Sequence, residues 1–126
     1  MTEWVELVVV LAIHDRQIAE HGGLDGLRDE GLLKSALAHL LANADPKPDF
    51  AALAAAYAFG IAKNRAFLDG NKRTSNVVSL TFLRLNGFTV NADQAEQVRI
   101  WSRLADGTLS EAELADWFRS RLADTR

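Results

Sequence analysis

The sequence predicts an all-α fold, a compact bundle of about six helices, and three observations support this class. Apolar residues recur at helical spacing in successive segments, and little of the chain has the alternating pattern of a strand. The alanine-rich stretch at residues 50–62 adds strong helix propensity. The length, with 48% hydrophobic and 25% charged residues, is typical of one globular domain, which we predict to span residues 1–126.

The amino-terminal third contains two predicted helices separated by glycines. Residues 7–18 carry apolar side chains at roughly helical spacing, and Gly22-Gly23 closes the segment. The β-branched run at residues 8–10 leaves a short strand open as an alternative there. A second apolar stripe covers residues 32–41 and stops before the proline-containing stretch 45–48, which we interpret as a loop.

Four further helices are predicted in the rest of the chain. Residues 50–62 are rich in alanine and apolar on nearly every side, which predicts a helix at the centre of the bundle. A second mostly apolar helix is predicted over residues 71–86 and ends at Asn86-Gly87. Two shorter amphipathic helices follow over residues 92–105 and 110–122, and the last one opens with the Ser-x-x-Glu pattern of a capping box.

The charge distribution favours a small anion site over a broad nucleic-acid surface. The net charge is −3 at pH 7, yet residues 63–73 hold four cations and one carboxylate. The absence of cysteine excludes disulfides, thiolate catalysis and cysteine-ligated metal centres. The apolar runs are too short to cross a bilayer, so we expect a cytoplasmic protein with neither membrane nor nucleic acid as a direct partner.

The link between the two central helices, residues 63–74, is the most polar and basic segment of the chain. Gly70 permits a positive φ or a close approach to a ligand, and the residues after it begin a helix, where free backbone N–H groups favour phosphate. Lys72 and Arg73 oppose the helix dipole there, so their presence predicts a bridging anion. Asp69 could orient a Mg²⁺ ion on the phosphates. An ordinary solvated turn is the alternative, and a Walker loop is excluded by the glycine spacing.

The stretch Phe67-Leu68-Asp69-Gly70-Asn71-Lys72-Arg73-Thr74 resembles the signature loop of the Fic/Doc family, His-x-Phe-x-Asp/Asn-Gly/Ala-Asn-Lys/Gly-Arg. Outside this loop, His14-Asp15, His21-Gly22-Gly23-Leu24 and Gly31-Leu32-Leu33 resemble the death-on-curing (Doc) toxins of the same family. The resemblance covers most of the chain, from about residue 11 to residue 118.

This resemblance implies a mostly helical fold and transfer from a nucleoside triphosphate to a protein hydroxyl. Most Fic relatives have glycine at the position of Lys72 and transfer AMP. The lysine form resembles Doc, a kinase that phosphorylates a threonine of elongation factor Tu and so blocks translation. The implied cofactors are ATP and Mg²⁺, with Asp69 positioning the metal. The residues implied to bind the nucleotide are Phe67, Gly70, Asn71, Lys72 and Arg73.

Position 65 departs from the family pattern, because Arg65 stands where the family has its catalytic histidine. That histidine is the general base that takes the proton of the target hydroxyl, whereas arginine stays protonated and has no acceptor lone pair. Losing a positioned general base typically costs about 10²- to 10⁴-fold in rate. We therefore expect a chain that binds nucleotide but transfers poorly. It is either a toxin neutralised by an engineered change, which we favour, or a naturally degenerate copy.

Three alternatives to a Doc-like kinase stay open, and the resemblance also implies a partner. The alternatives are a catalytically dead Fic/Doc-fold binding protein, AMP transfer to a protein hydroxyl, and a helical DNA-binding regulator, which the acidic balance disfavours. The inhibitory-helix motif of other family members has no match in the sequence. The resemblance therefore implies a separate, Phd-like antitoxin whose helical, acidic segment lies in a groove of the toxin.

Several further residues invite a functional interpretation. His14 and His21 would share a helix face, but no third ligand has a fitting spacing, so we expect structural or surface roles for them and for His39. Phe67 is predicted to anchor the loop against the core, and Thr74 is either a phosphate contact or a helix-start hydroxyl.

Overall fold

The structure is a computed structural model that describes residues 2–42 and 49–125. Within these ranges the chain forms six α-helices and two short strands. The helices are α1 (Leu7–His21), α2 (Glu30–Ala42), α3 (Phe50–Asn64), α4 (Asn71–Leu85), α5 (Gln94–Asp106) and α6 (Glu111–Arg121). The strands are β1 (Phe88–Val90) and β2 (Leu122–Asp124). The predicted loop at residues 45–48 lies outside the described residues.

The all-α class predicted from the sequence is confirmed. Residues 8–10, where a strand was the open alternative, lie in the first turns of α1. The capping box of α6 also forms, because Ser110 Oγ accepts the Glu113 N–H (3.1 Å) and Glu113 Oε1 accepts the Ser110 N–H (2.9 Å). In the part of the chain that the structure describes, no helix has the length and apolar character needed to cross a bilayer.

The small sheet is the element that the sequence pattern does not predict. β1 and β2 pair antiparallel, with Phe88 opposite Asp124 and Val90 opposite Leu122. Each strand is only three residues long, and its partner is distant in sequence, so no local hairpin pattern marks it. Leu122, predicted as the end of the last helix, is extended (φ −68°, ψ 136°) and begins β2.

α3 lies at the centre of the bundle, as its apolar pattern predicts. It packs against α2, α4 and α6, and its buried face is built largely from alanine. Small side chains allow α2 and α3 to approach closely, since a Cβ added to Gly60 would lie 2.9 Å from the Cβ of Ala36. This packing fixes the position of the carboxyl end of α3, where the basic segment begins.

Buried hydrogen bonds join α3, α4 and α5 beside the basic segment. Ser75 Oγ donates to the carbonyl of Ala58 (2.7 Å) and accepts the indole N–H of Trp101 (2.9 Å). Ser75 is fully buried and Trp101 nearly so. Because an unpaired buried polar group costs about 1–3 kcal/mol, these bonds hold the three helices in one arrangement.

Tyr57 of α3 holds the segment that precedes α1. Its hydroxyl donates to the carbonyl of Val5 (3.0 Å) and accepts the Val5 N–H (2.9 Å). Burial raises the pKa of Tyr57 to about 12, although the hydrogen bond with Val5 acts in the opposite direction. The phenol is therefore kept in its neutral form over the ordinary pH range.

Candidate functional site

The basic segment begins at Arg65, where α3 ends in a left-handed residue. Arg65 has φ 50° and ψ 52°, and it is the one non-glycine residue with positive φ among those described. Its carbonyl accepts the Nε–H of Arg28 (2.8 Å), and the carbonyl of Asn64 accepts the Nη2–H of the same guanidinium (2.9 Å). Arg28 therefore caps the last carbonyls of α3, while the Arg65 side chain is exposed.

The loop after Arg65 is supported by the segment that links α1 to α2. The Leu68 N–H donates to the Gly26 carbonyl (3.1 Å), and the Arg28 N–H donates to the Ala66 carbonyl (2.7 Å). These bonds form an isolated antiparallel bridge around Phe67. Phe67 is 1% exposed and stacks on the ring of His14, with centroids 3.8 Å apart and an 8° angle between planes. Phe67 thus anchors the loop against the core. It does not line the cavity described next.

Asn71 closes the loop through its side chain. Its Oδ1 accepts the Phe67 N–H (3.1 Å), and its Nδ2 donates to the Phe67 carbonyl (3.0 Å). The side-chain amide is thereby committed to holding the turn. Any contact between Asn71 and a phosphate would come from the backbone N–H at the start of α4.

Asp69 is held through its backbone and through one carboxylate oxygen. Its carbonyl accepts a hydrogen bond from Nε2 of His14 (2.7 Å), and its Oδ2 accepts the Leu24 N–H (2.8 Å). The residue is exposed, and its second carboxylate oxygen has no hydrogen-bond partner among the described residues. Asp69 is thus fixed in place with one oxygen available to a ligand.

The amino end of α4 has the features of an anion site. Gly70 has φ 79°, and a Cβ there would lie 3.2 Å from Cδ1 of Ile18, so the position favours glycine on both counts. No acidic residue lies in the first turn, and the helical hydrogen bonds start with the Thr74 N–H on the Gly70 carbonyl (2.9 Å). The N–H groups before Thr74 are therefore free for an anion, and the exposed side chains of Lys72 and Arg73 flank them.

One cavity of about 900 Å³ brings these groups together. Its loop wall contains Arg65, Asp69, Gly70, Asn71, Lys72 and Arg73. Polar side chains of α1 and α5 complete it, namely Gln17, His21, Gln94, Gln97 and Ser102, together with the apolar Val98 and Trp101. Sequence reasoning missed this second wall, because isolated glutamines on distant amphipathic helices resemble any solvated face.

The fold also places Thr74 and two of the histidines. Thr74 is fully buried, does not line the cavity, and its Oγ1 has no hydrogen-bond partner among the described residues, so it is not a direct phosphate contact. The sequence showed no third ligand for a histidine metal site, but the fold places Asp15 and Asp25 beside His14. The side chain of His39 lies outside the described residues.

Comparison with known proteins agrees with the loop pattern. A sequence model of the Fic/DOC family matches residues 4–83. The chain is 32% identical over 112 residues to "Protein kinase doc" of Escherichia phage P1, and the aligned region covers 87% of this chain and 88% of that protein. It is 38% identical over 96 residues to "Toxin Doc" of Mycolicibacterium smegmatis, and the aligned region covers 74% of this chain and 72% of that protein.

Proposed function

This chain belongs to the Fic/Doc family, and we propose that it is a Doc-type toxin kinase, one domain over residues 1–126, with arginine in place of its general base. The proposed reaction is phosphoryl transfer from ATP to a threonine hydroxyl of elongation factor Tu. The observation that carries the proposal is the convergence of Asp69, Lys72 and Arg73 with the start of α4 on one cavity. The name of the phage P1 relative supports kinase chemistry.

The cavity suits a nucleoside triphosphate in size and in charge. Small-molecule pockets commonly measure roughly 300–1,000 Å³, and this one has about 900 Å³. Lys72, Arg73 and the free N–H groups of α4 would hold the phosphates, because these donors meet at one helix terminus. The apolar and amide side chains of α5 offer a surface suited to the nucleoside.

Asp69 also fits the Mg²⁺ ion that the family uses. Mg²⁺ is usually bound by one or two carboxylates together with phosphate oxygens, and Asp69 presents one unpaired carboxylate oxygen to the same cavity as the proposed phosphate donors. The ion would neutralise charge on the phosphates when bound. His14 and Leu24 hold Asp69 in one orientation, with this oxygen left unpaired.

Arg65 defines what this form of the protein is expected to do. It lines the cavity, so its guanidinium adds a third cation to the phosphate donors. It has no lone pair with which to take the proton of a threonine hydroxyl. We infer that the chain binds ATP and leaves the target hydroxyl unactivated.

Restoring the base is the direct test of this function. Arg65→His, expressed under tight control, is expected to arrest growth and to place phosphate on a threonine of elongation factor Tu. The rate of transfer should rise by about 10²- to 10⁴-fold over the unchanged chain. Mass spectrometry of the purified target, after reaction with ATP, measures this outcome.

Two matched variants sharpen the experiment. Arg65→Gln removes the same charge without supplying a base and should stay inactive, whereas Asp69→Asn added to Arg65→His should abolish the gain. ATP labelled at the α- or the γ-phosphate separates AMP transfer from phosphoryl transfer. An Arg65→His protein that folds, binds ATP and labels no target would refute the kinase proposal.

A nucleotide-binding protein without transferase activity is the second candidate, and the cationic Arg65 in the cavity favours it for the chain as it stands. Calorimetric titration with ATP and Mg²⁺ should then show binding, weakened by Arg65→Gln. Equal affinity in both proteins would show that Arg65 does not contact the nucleotide.

We also propose a Phd-like antitoxin as the partner of this chain. The relative from Mycolicibacterium smegmatis is named a toxin, and a toxin of this family requires restraint in its host cell. An acidic helical segment in a groove is the expected mode of recognition. Copurification of Arg65→His with the product of an adjacent gene, and relief of its growth arrest by that product, test the proposal.

A further inference from the structure

A cluster of ligand-type side chains lies outside the cavity, on the α1 side of the loop. One ring nitrogen of His14 and one carboxylate oxygen from each of Asp15 and Asp25 lie within 4.8 Å of one another. His14 and Asp15 are neighbours on α1, whereas Asp25 comes from the segment between α1 and α2. The fold therefore brings Asp25 beside the adjacent pair His14 and Asp15.

His14 is prepared as a ligand by the bond it already makes. Its Nε2 lies 2.7 Å from the carbonyl of Asp69, and since a carbonyl can only accept, Nε2 carries the hydrogen. The lone pair is then on Nδ1, for which no described residue supplies a hydrogen bond. The side chain is 2% exposed and stacked on Phe67, so a buried imidazole is held with one nitrogen unpartnered. Metal-binding histidines commonly donate their other N–H to a carbonyl in this way.

The two carboxylates are not paired with a cation among the described residues. Asp15 and Asp25 are both exposed, and neither forms an ion pair or hydrogen bond with a described residue. The closest cation in sequence, Arg16, is bound to Glu20 at 2.8 Å. The two like charges repel one another, and a cation between them would relieve this repulsion.

The position of Asp25 is fixed by its neighbours. The Leu24 N–H bonds to Oδ2 of Asp69 (2.8 Å), and the Gly26 carbonyl accepts the Leu68 N–H (3.1 Å). The segment is therefore attached to the loop on both sides of Asp25. Little additional ordering is needed to close the cluster around an ion.

We propose that His14, Asp15 and Asp25 form a binding site for a divalent transition-metal ion of the Zn²⁺ class, separate from Asp69. One imidazole and two carboxylates are ligands of the type that Zn²⁺ accepts, and three protein ligands leave a position for water. The site stands independently of the kinase proposal. A bound ion would also stiffen the loop, because His14 and Leu24 both hold Asp69.

Calorimetric titration of the full chain with Zn²⁺ alone, without nucleotide, tests this site. We expect one bound ion per chain, with affinity reduced by about 10-fold or more in Asp15→Asn and in Asp25→Asn. Glu111→Gln, an exposed carboxylate on α6, is the matched control and should leave the affinity unchanged. Asp69→Asn should also retain the ion, because Asp69 is not a ligand and an asparagine oxygen can still accept the Leu24 N–H.

A second readout identifies the ligand atom. The ¹⁵N resonance of His14 Nδ1 should shift on addition of Zn²⁺, while Nε2 stays protonated. Binding lost in Asp69→Asn but kept in Asp25→Asn would overturn the proposal, as would binding at another histidine or no binding at all. None of these outcomes depends on whether Arg65→His gains kinase activity.

Discussion

Arg65 adopts a backbone conformation that most side chains avoid. Its φ of 50° and ψ of 52° are left-handed, a region that histidine, asparagine and aspartate tolerate better than other non-glycine residues. The carbonyl at this position is held by Arg28, so the conformation is imposed by the loop. A histidine here would suit the backbone as well as the chemistry, and Arg65→His should therefore fold without a stability cost.

Arg65→Gly tests the strain at this position. Glycine adopts the left-handed region freely, so the variant should raise the free energy of unfolding by about 0.5–1 kcal/mol. Lys63→Gly, two residues earlier in α3, is the control and should lower it by about 1 kcal/mol. Urea unfolding measures both, and a loss of stability in Arg65→Gly would contradict a strained arginine.

At the scale of elements, the close contact between α2 and α3 depends on a missing side chain. A Cβ at Gly60 would come within 2.9 Å of the Cβ of Ala36, closer than such atoms normally approach. The central position of α3 was predictable from its composition, because a helix apolar on all sides has to be surrounded. The helix that Gly60 contacts was not predictable, because it depends on how the helices are arranged around α3 in the fold.

Gly60→Val should force α2 and α3 apart. Overpacking of a close helix contact typically costs about 1–3 kcal/mol, and we expect a lower melting temperature to match. Ala19→Val, at an exposed position of α1, places the same β-branched side chain in a helix without the contact. Valine has a higher helix propensity than glycine, so a loss of stability in Gly60→Val would come from the contact itself. Equal melting temperatures for the two variants would show that α2 can shift to make room.

Some features of the candidate site could be predicted from neighbouring residues in the sequence, whereas others depend on contacts between distant segments. The loop from Asp69 to Arg73 was recognisable because its glycine, cations and carboxylate are contiguous. The supports of that loop, His14 and Arg28, come from segments far away in sequence, and only the fold shows their bonds. Phe67, predicted as an anchor, is buried against His14, but the identity of its partner was not encoded in any spacing.

At the scale of the whole molecule, both ends of the described chain meet at one end of α4. Asn86 exchanges hydrogen bonds with the backbone of Glu3 (2.8 Å each), and the Thr125 N–H donates to the Gly87 carbonyl (2.9 Å). The cavity lies at the opposite end of this helix, which is about 22 Å long. Additions to either terminus should therefore leave the cavity and the proposed anion site accessible.

Tyr57, which hydrogen-bonds to Val5 in the segment before α1, should make the stability of the fold sensitive to alkaline pH. The pKa of this phenol is raised from 10.0 to about 12, so the folded state holds its proton more tightly than the unfolded state does. The stabilisation is complete below about pH 10 and is lost as the pH rises through about 12. The free energy of unfolding should fall by about 2–3 kcal/mol more in the unchanged chain than in Tyr57→Phe between about pH 9 and pH 12. Parallel losses in urea titrations of the two proteins would rule out this linkage.

The surroundings of the Trp101 indole should determine the circular dichroism and fluorescence of the protein. It is nearly buried, lines the cavity, donates to Ser75, and meets Trp117 edge-on with ring centroids 5.8 Å apart. A chromophore in such a fixed and asymmetric setting should give strong near-ultraviolet circular dichroism and a blue-shifted emission. Because filling the cavity changes the surroundings of this ring, the protein carries its own fluorescent reporter of ligand occupancy and needs no added label.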